Sequence, residues 1–143
     1  MFTAHSYEEA LKYMGKKNVR PYGYGRATSV ISAGDGYDTT IIVIYHLTAI
    51  AYYMPSALMI SAGSYRTVTT FRRLNQILDN IDGGHIYRHN YEWIWEGGEW
   101  RTDTGNLYVG GSRKKFVNMM RFTYDGVLVD NDMLARMQGD SNQ

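Results

Sequence analysis

Two periods alternate along the chain. Tyr7, Ala10, Leu11 and Met14 recur at helical spacing on one face. Ser6 and Glu9 form a capping-box pattern ahead of them, and Gly15 ends the run with Lys12, Lys16 and Lys17 near the negative end of the helix dipole. Phe71, Leu74, Ile77, Leu78 and Ile81 keep the same period, while Arg72, Arg73, Gln76 and Asp79 fall on the outer face. Thr69 or Thr70 is the natural N-cap of this main helix, and Gly83-Gly84 closes it. Asp130 or Asn131 can cap a last short helix holding Met133, Leu134 and Met137.

Elsewhere the pattern is that of strands. Ala27 to Ala33 leads into a Gly34-Asp35-Gly36 turn, and Thr39 to Tyr45 is a nearly continuous apolar run that predicts burial on both faces. Ala49 to Met54 and Leu58-Met59-Ile60 complete a meander of about four strands. His85 to His89 and Tyr91 to Glu96 follow, with Gly97-Gly98 expected as a two-residue turn into Glu99-Trp100-Arg101. Asn106 to Val109 and Lys115 to Tyr124 add further strands. The expected fold is therefore α+β: an antiparallel β-sheet meander packed by one main central helix, with short helices at the N- and C-termini. Residues 1–138 are expected as a single domain and 139–143 as a flexible tail, since Gly139-Asp140-Ser141-Asn142-Gln143 is too polar to bury.

Composition narrows the possibilities. The 143 residues suit one core, and fifteen Lys and Arg against fourteen Asp and Glu leave a formal charge of +1. Absence of cysteine excludes disulfides, zinc-thiolate sites and a Cys nucleophile. No apolar run approaches the roughly 18 residues of a membrane helix. The start, Met1-Phe2-Thr3-Ala4-His5, lacks the layout of a secretion signal, so an intracellular setting is expected.

The stretch richest in chemistry is Ser61 to Asn75. A strand leaves through Gly63, hydroxyls crowd the next turn, and a helix begins near Phe71. Helix N-termini carry unpaired N–H groups and a partial positive charge, so they attract anions. Thr67, Thr69 and Thr70 can add hydroxyl donors, and Arg66, Arg72 and Arg73 can add charge-assisted bonds to phosphate or carboxylate. These six residues are the candidate anion-binding site. The plainer alternative is a threonine cap with solvated arginines. The Gly-Lys-Ser/Thr ending of a phosphate-binding P-loop is missing.

Ser61-Ala62-Gly63, Arg66-Thr67, Thr69-Thr70, Arg73-Leu74-Asn75 and Leu78 resemble a pattern in a family of small uncharacterised bacteriophage-encoded proteins. The strand with His46, Thr48 and Ile50 and the aromatic strand Trp93-Ile94-Trp95 fit the same pattern. Tyr65 departs from it, where a Trp is expected. The resemblance implies a phage-encoded accessory protein and transfers no catalytic residue.

Other groups carry weaker signals. His85 and His89 lie four apart on a strand, about 13 Å by the usual rise and too far for one metal, and His46 at a strand end is the remaining acid–base candidate. Glu92, Glu96 and Glu99 surround Trp93, Trp95 and Trp100, as a sugar or base site would, although simple strand alternation explains them as well. Arg113-Lys114-Lys115 with Arg121, and Lys12 to Arg26 with its tyrosines, form two basic stretches.

The expected function is non-enzymatic binding of an anionic partner, namely nucleic acid, a nucleotide or the acidic surface of a host protein, in the host cytoplasm. Inhibition of host defence is one version of it. No catalytic residue, metal or cofactor is expected. The alternative is a virion structural or assembly protein using Met119-Met120 and the Ile41 to Tyr45 strand; a hydrolase built on His46 ranks last.

Overall fold

The computed structural model describes residues 2–23, 27–34, 38–102 and 107–130. Helix α1, Tyr7–Met14, starts where Ser6 Oγ accepts from the Glu9 N–H at 3.1 Å and ends at Gly15, whose φ is +56°. The Glu9 carboxylate reaches one residue further back than a capping box requires, accepting from the His5 N–H at 2.7 Å. Helix α2, Val68–Ile81, is capped by Thr67, whose Oγ1 accepts from the Thr70 N–H at 3.2 Å. Thr69 and Thr70, the expected caps, thus lie inside the first turn. Asp82, with φ +54°, ends α2 ahead of the two glycines.

The strands are β1 (Val19–Pro21), β2 (Thr28–Ala33), β3 (Thr40–Tyr45), β4 (Thr48–Tyr53), β5 (Leu58–Ile60), β6 (His85–His89), β7 (Glu92–Thr102), β8 (Leu107–Lys115), β9 (Met120–Phe122) and β10 (Leu128–Asp130). They form one ten-stranded sheet in the order β1-β2-β3-β4-β5-β9-β10-β7-β6, with β8 also paired to β7. The expected architecture is corrected here. The molecule is mostly one large mixed sheet with two short helices among the described residues, not an antiparallel meander packed by one central helix. The sheet is mixed because β10 runs parallel to β7, Leu128 opposite Trp100. That pairing and the insertion of β9 beside β5 join segments far apart in the chain, so no local period announces them. The expected C-terminal helix, the 139–143 tail and most of the Gly34-Asp35-Gly36 turn lie outside the described residues.

Other strand expectations also change: the expected strand Lys115 to Tyr124 divides, with Lys115 closing β8 and only Met120–Phe122 forming β9. β3 alternates: Ile41 and Val43 are fully buried and Ile42 and Ile44 half-buried, so only one face is fully covered. Gly97-Gly98 is no hairpin turn, because β7 runs straight through it with a register shift against β8 between Gly97 and Glu99. A Cβ on Gly97 would stand 2.3 Å from the Trp95 ring. That indole is buried and donates its Nε1–H to the Gly83 carbonyl at 2.7 Å, which brings the end of α2 down on β7.

Both helices share a single core with the sheet. Phe71 stacks on Trp93 with centroids 3.9 Å apart and meets Phe116 edge-on at 4.9 Å. Asn75 clamps α2 to β6, its Oδ1 accepting from the Ile86 N–H at 2.7 Å and its Nδ2 donating to the Ile86 carbonyl at 2.9 Å. Removing that amide leaves two backbone groups of a buried residue unpaired, each costing about 1–3 kcal/mol. Asn75→Ala is therefore expected to lower stability by at least about 2 kcal/mol in urea titration; a loss below ~0.5 kcal/mol would show that water replaces the clamp.

Tyr53, fully buried against Phe2 and Tyr124, has no hydrogen-bond partner for its hydroxyl among the described residues. Burial first, then the neighbouring Tyr22 and Tyr124, pushes its phenol well above its ordinary value. Burial raises Tyr124 as well, with Glu8 adding to the effect. Phenols raised in the folded state hold their protons there, so their contribution is intact below about pH 10 and lost as pH climbs past it toward the folded values. Tyr53→Phe is expected to raise stability by about 1 kcal/mol and to flatten the alkaline loss. A lowered thermal midpoint in that variant would show the hydroxyl to be bonded.

Candidate functional site: two clefts at the start of α2

The chain from Ser61 to Thr67 is held from several sides. Ser61 Oγ accepts from the Gly63 N–H at 3.1 Å, Asn118 Oδ1 accepts from the Ala62 N–H at 3.0 Å, and Asn118 Nδ2 donates to the Gly63 carbonyl at 2.9 Å. Gly63 has φ +59°, and a Cβ there would lie 2.8 Å from Thr48 Cγ2. The chain then enters Thr67 in extended geometry, φ −103° and ψ 160°. Side chains of an extended segment alternate, and here the alternation divides the site.

Tyr65 and Thr67 face one cleft of about 320 Å³, which they line with Thr69 and Thr70 from α2 and Tyr45, His46, Leu47 and Thr48 from the β3–β4 turn. Arg66 faces another of about 340 Å³, lined also by Arg88, Tyr91, Glu92, Trp93, Lys115 and Phe116. The six sequence-derived site residues are therefore not one constellation. The three threonines share the first cleft, their hydroxyls already turned on one another: Thr67 Oγ1 lies 3.1 Å from Thr69 Oγ1 and 3.0 Å from Thr70 Oγ1. Thr70 is buried beneath the cap. Arg66 sits 5.5 Å from the Phe116 ring centre. Arg73, half-buried, lies 5.8 Å from the Tyr22 ring and 5.9 Å from that of Tyr45, and bonds Gln76 Oε1 at 3.3 Å. Burial raises the Tyr22 phenol against the opposing pull of that guanidinium. Arg72 is simply exposed.

The weaker signals resolve as well. His46 is exposed in the β3–β4 turn, with φ +55° and its ring against Tyr45. Among the described residues no group of three or more His, Cys, Asp or Glu is placed to hold a metal. Glu92 pairs with Lys115 at 3.1 Å and Glu96 with Arg113 at 2.8 Å, so these carboxylates serve cross-strand ion pairs rather than facing each other across a tryptophan floor. Lys114 lies 3.7 Å from the Trp100 ring centre. Of the residues offered for assembly contacts, Met119 is exposed, Met120, Ile41 and Val43 are buried, Ile42, Ile44 and Tyr45 are half-buried, and β3 is an interior strand. No helix among the described residues is long and apolar enough to cross a membrane.

Two residues of the second cleft escaped the sequence reading. Asn90 and Tyr91 form the tight turn between β6 and β7, with φ +51° and +67°, and Tyr91 is 90% exposed. Arg88, the last residue but one of β6, holds its guanidinium 5.7 Å from the Tyr91 ring and 5.9 Å from Trp93. The available signal was an Asn followed by a residue that ought to be Gly, between two strand runs.

The molecule is thus a single-sheet protein of strand and helix with two shallow clefts parted by one extended segment. Comparison with known proteins places it further. The family model of the Kyanoviridae Gp96 protein matches residues 9–123, four fifths of the chain, and the chain belongs to that phage protein family. No curated protein and no solved structure matches it. As a phage protein it is made in a host cell.

Much of the Ser61 to Leu78 pattern proves to be fold-making: Ser61 and Gly63 shape the turn, Thr67 caps, Leu74 fills the core and Asn75 clamps β6. Gly63→Ala is expected to cost about 1–2 kcal/mol, since left-handed backbone and the Thr48 contact both oppose a Cβ. An unchanged denaturation midpoint would show that the turn relaxes freely.

Proposed function

We propose that the protein is a non-enzymatic phage accessory protein that binds an anionic partner at the entrance of α2. The observation that carries this reading is the chemistry of the first cleft. It combines hydroxyls, a histidine and aromatic rings with the first turn of a 14-residue helix, and its lining contains no carboxylate. No acidic residue occupies the first turn of α2, where folding alone would favour one. The first N–H groups of a helix have no intrahelical acceptor and meet negative charge well. Arg73, behind Tyr45, adds positive charge to that side, while Arg66 serves the neighbouring cleft. An acidic host-protein surface or a phosphate group satisfies this chemistry, and a phage setting fits a protein that works by occupying a host component. Assembly through sheet edges draws less support: β1, one end of the sheet, has three residues and ends in Pro21, a blunted edge.

Titration with inorganic phosphate, followed through backbone amide resonances, tests the reading. The Val68 and Thr69 amides are expected to shift most, since the Thr70 N–H already meets Thr67 Oγ1, the shifts to weaken with added salt, and Arg73→Gln to reduce the apparent affinity several-fold. Silent amides in that turn, with phosphate in the millimolar range, would overturn it.

A further inference from the structure

The second cleft carries an inference independent of the α2 entrance, with which it shares only the extended segment 65–67. Tyr91 stands where folding would choose otherwise. Both central positions of the β6–β7 turn have positive φ, a geometry that favours Asn followed by Gly, yet the second is a tyrosine. A bulky side chain in left-handed backbone is strained, and this ring is 90% exposed, so it contributes little to the core. The hairpin thus holds an aromatic face in water at a local cost. Trp93, half-buried and backed by Phe71 at 3.9 Å, supplies a second, rigid ring at the same cleft.

Charge surrounds these rings. Arg66, Arg88 and Lys115 line the cleft against one carboxylate, Glu92. Glu92 is held by Lys115 in a pair that is about half exposed on both sides, a weak bond that a phosphate can displace. Arg88 already lies beside both rings, 5.7 Å from Tyr91 and 5.9 Å from Trp93. Exposed rings interleaved with cations are what an unpaired base and its phosphate require: the ring stacks on the base, the cations meet the backbone. A cleft of about 340 Å³ is a place for a nucleotide unit rather than for the rounded flank of a duplex, whose bases are already stacked. An acidic peptide would use the cations but not the rings.

The geometry points to single-stranded nucleic acid as the occupant of this cleft, with a base laid on Tyr91 or Trp93 and flanking phosphates met by Arg66, Arg88 and Lys115.

The test is fluorescence anisotropy of a labelled oligothymidylate of about fifteen nucleotides with the full chain, beside a duplex of equal length and a polyglutamate peptide. Single strand is expected to bind in preference to both competitors and to quench tryptophan emission. Affinity should fall with salt at a log–log slope of about −2 if three phosphates are met. Tyr91→Gly removes the ring while relaxing the backbone, so the hairpin keeps its stability and a loss of binding reports the ring alone. It is expected to weaken binding about tenfold, Arg88→Gln to weaken it several-fold and lower the salt slope, and Tyr91→Phe to retain it. Lys16→Gln, which removes an exposed cation just beyond α1 and outside both clefts, is expected to leave oligothymidylate binding unchanged, so a loss in Arg88→Gln reports this cleft rather than net charge. Full affinity in Tyr91→Gly, equal binding of duplex or polyglutamate, or no binding of the single strand overturns it.

Discussion

The hydroxyl of Thr67 is the contact on which the arrangement turns. By accepting from the Thr70 N–H it sets where α2 begins, and so how many residues remain extended between Gly63 and the helix. Starting the helix two residues later, as the threonine pattern suggests, would lengthen the extended stretch and move Thr69 out of the first turn. With Thr67 as the cap, Tyr65 and Thr67 share one side and Arg66 takes the other. One local hydrogen bond thereby partitions the chemistry of the segment into a hydroxyl-lined cleft and a cationic one.

That partition holds only because α2 is anchored along its length. Phe71 fixes the first turn against Trp93 and Phe116, Asn75 ties the middle to both backbone groups of Ile86, and the Trp95 indole receives the end of the helix at the Gly83 carbonyl. Each anchor lands on β6, β7 or the segment just after β8, so the hairpin that carries Arg88 and Tyr91 is rigidly related to the helix entrance. Buried aromatic surface supplies the energy and the amide bonds supply the register. The two clefts are neighbours because the same rings that hold the helix form the wall of the second.

The run from Ser61 to Leu78 takes on a different meaning in this light. Most of its residues between Ser61 and Leu78 serve the turn, the cap, the core or the clamp, while the exposed tyrosine and the arginine beside it lie outside that run. A dense run of polar and apolar residues can serve the fold as readily as a ligand. The carboxylates around the tryptophans show the same distinction, since Glu92 and Glu96 are placed by cross-strand cations.

Local chemistry was legible in the sequence. The spans of β5 and β6, the apolar face of α2 and the Ser6 cap of α1 follow from periodicity and from one residue's reach to its near neighbours. A phage-encoded family was expected as well, and the family match over residues 9–123 supports that much. The mixed sheet was not legible, because the Leu128 to Trp100 pairing and the β5 to β9 pairing depend on distant strands meeting, and a period of two is the same whichever partner is found. Nor was the separation of Arg66 from Arg73, since charge counted along a chain ignores which way an extended segment turns each side chain. Sequence by itself determined the elements and the kinds of groups available; tertiary structure decided which of them face one another, because that choice is made by packing between residues the chain keeps far apart.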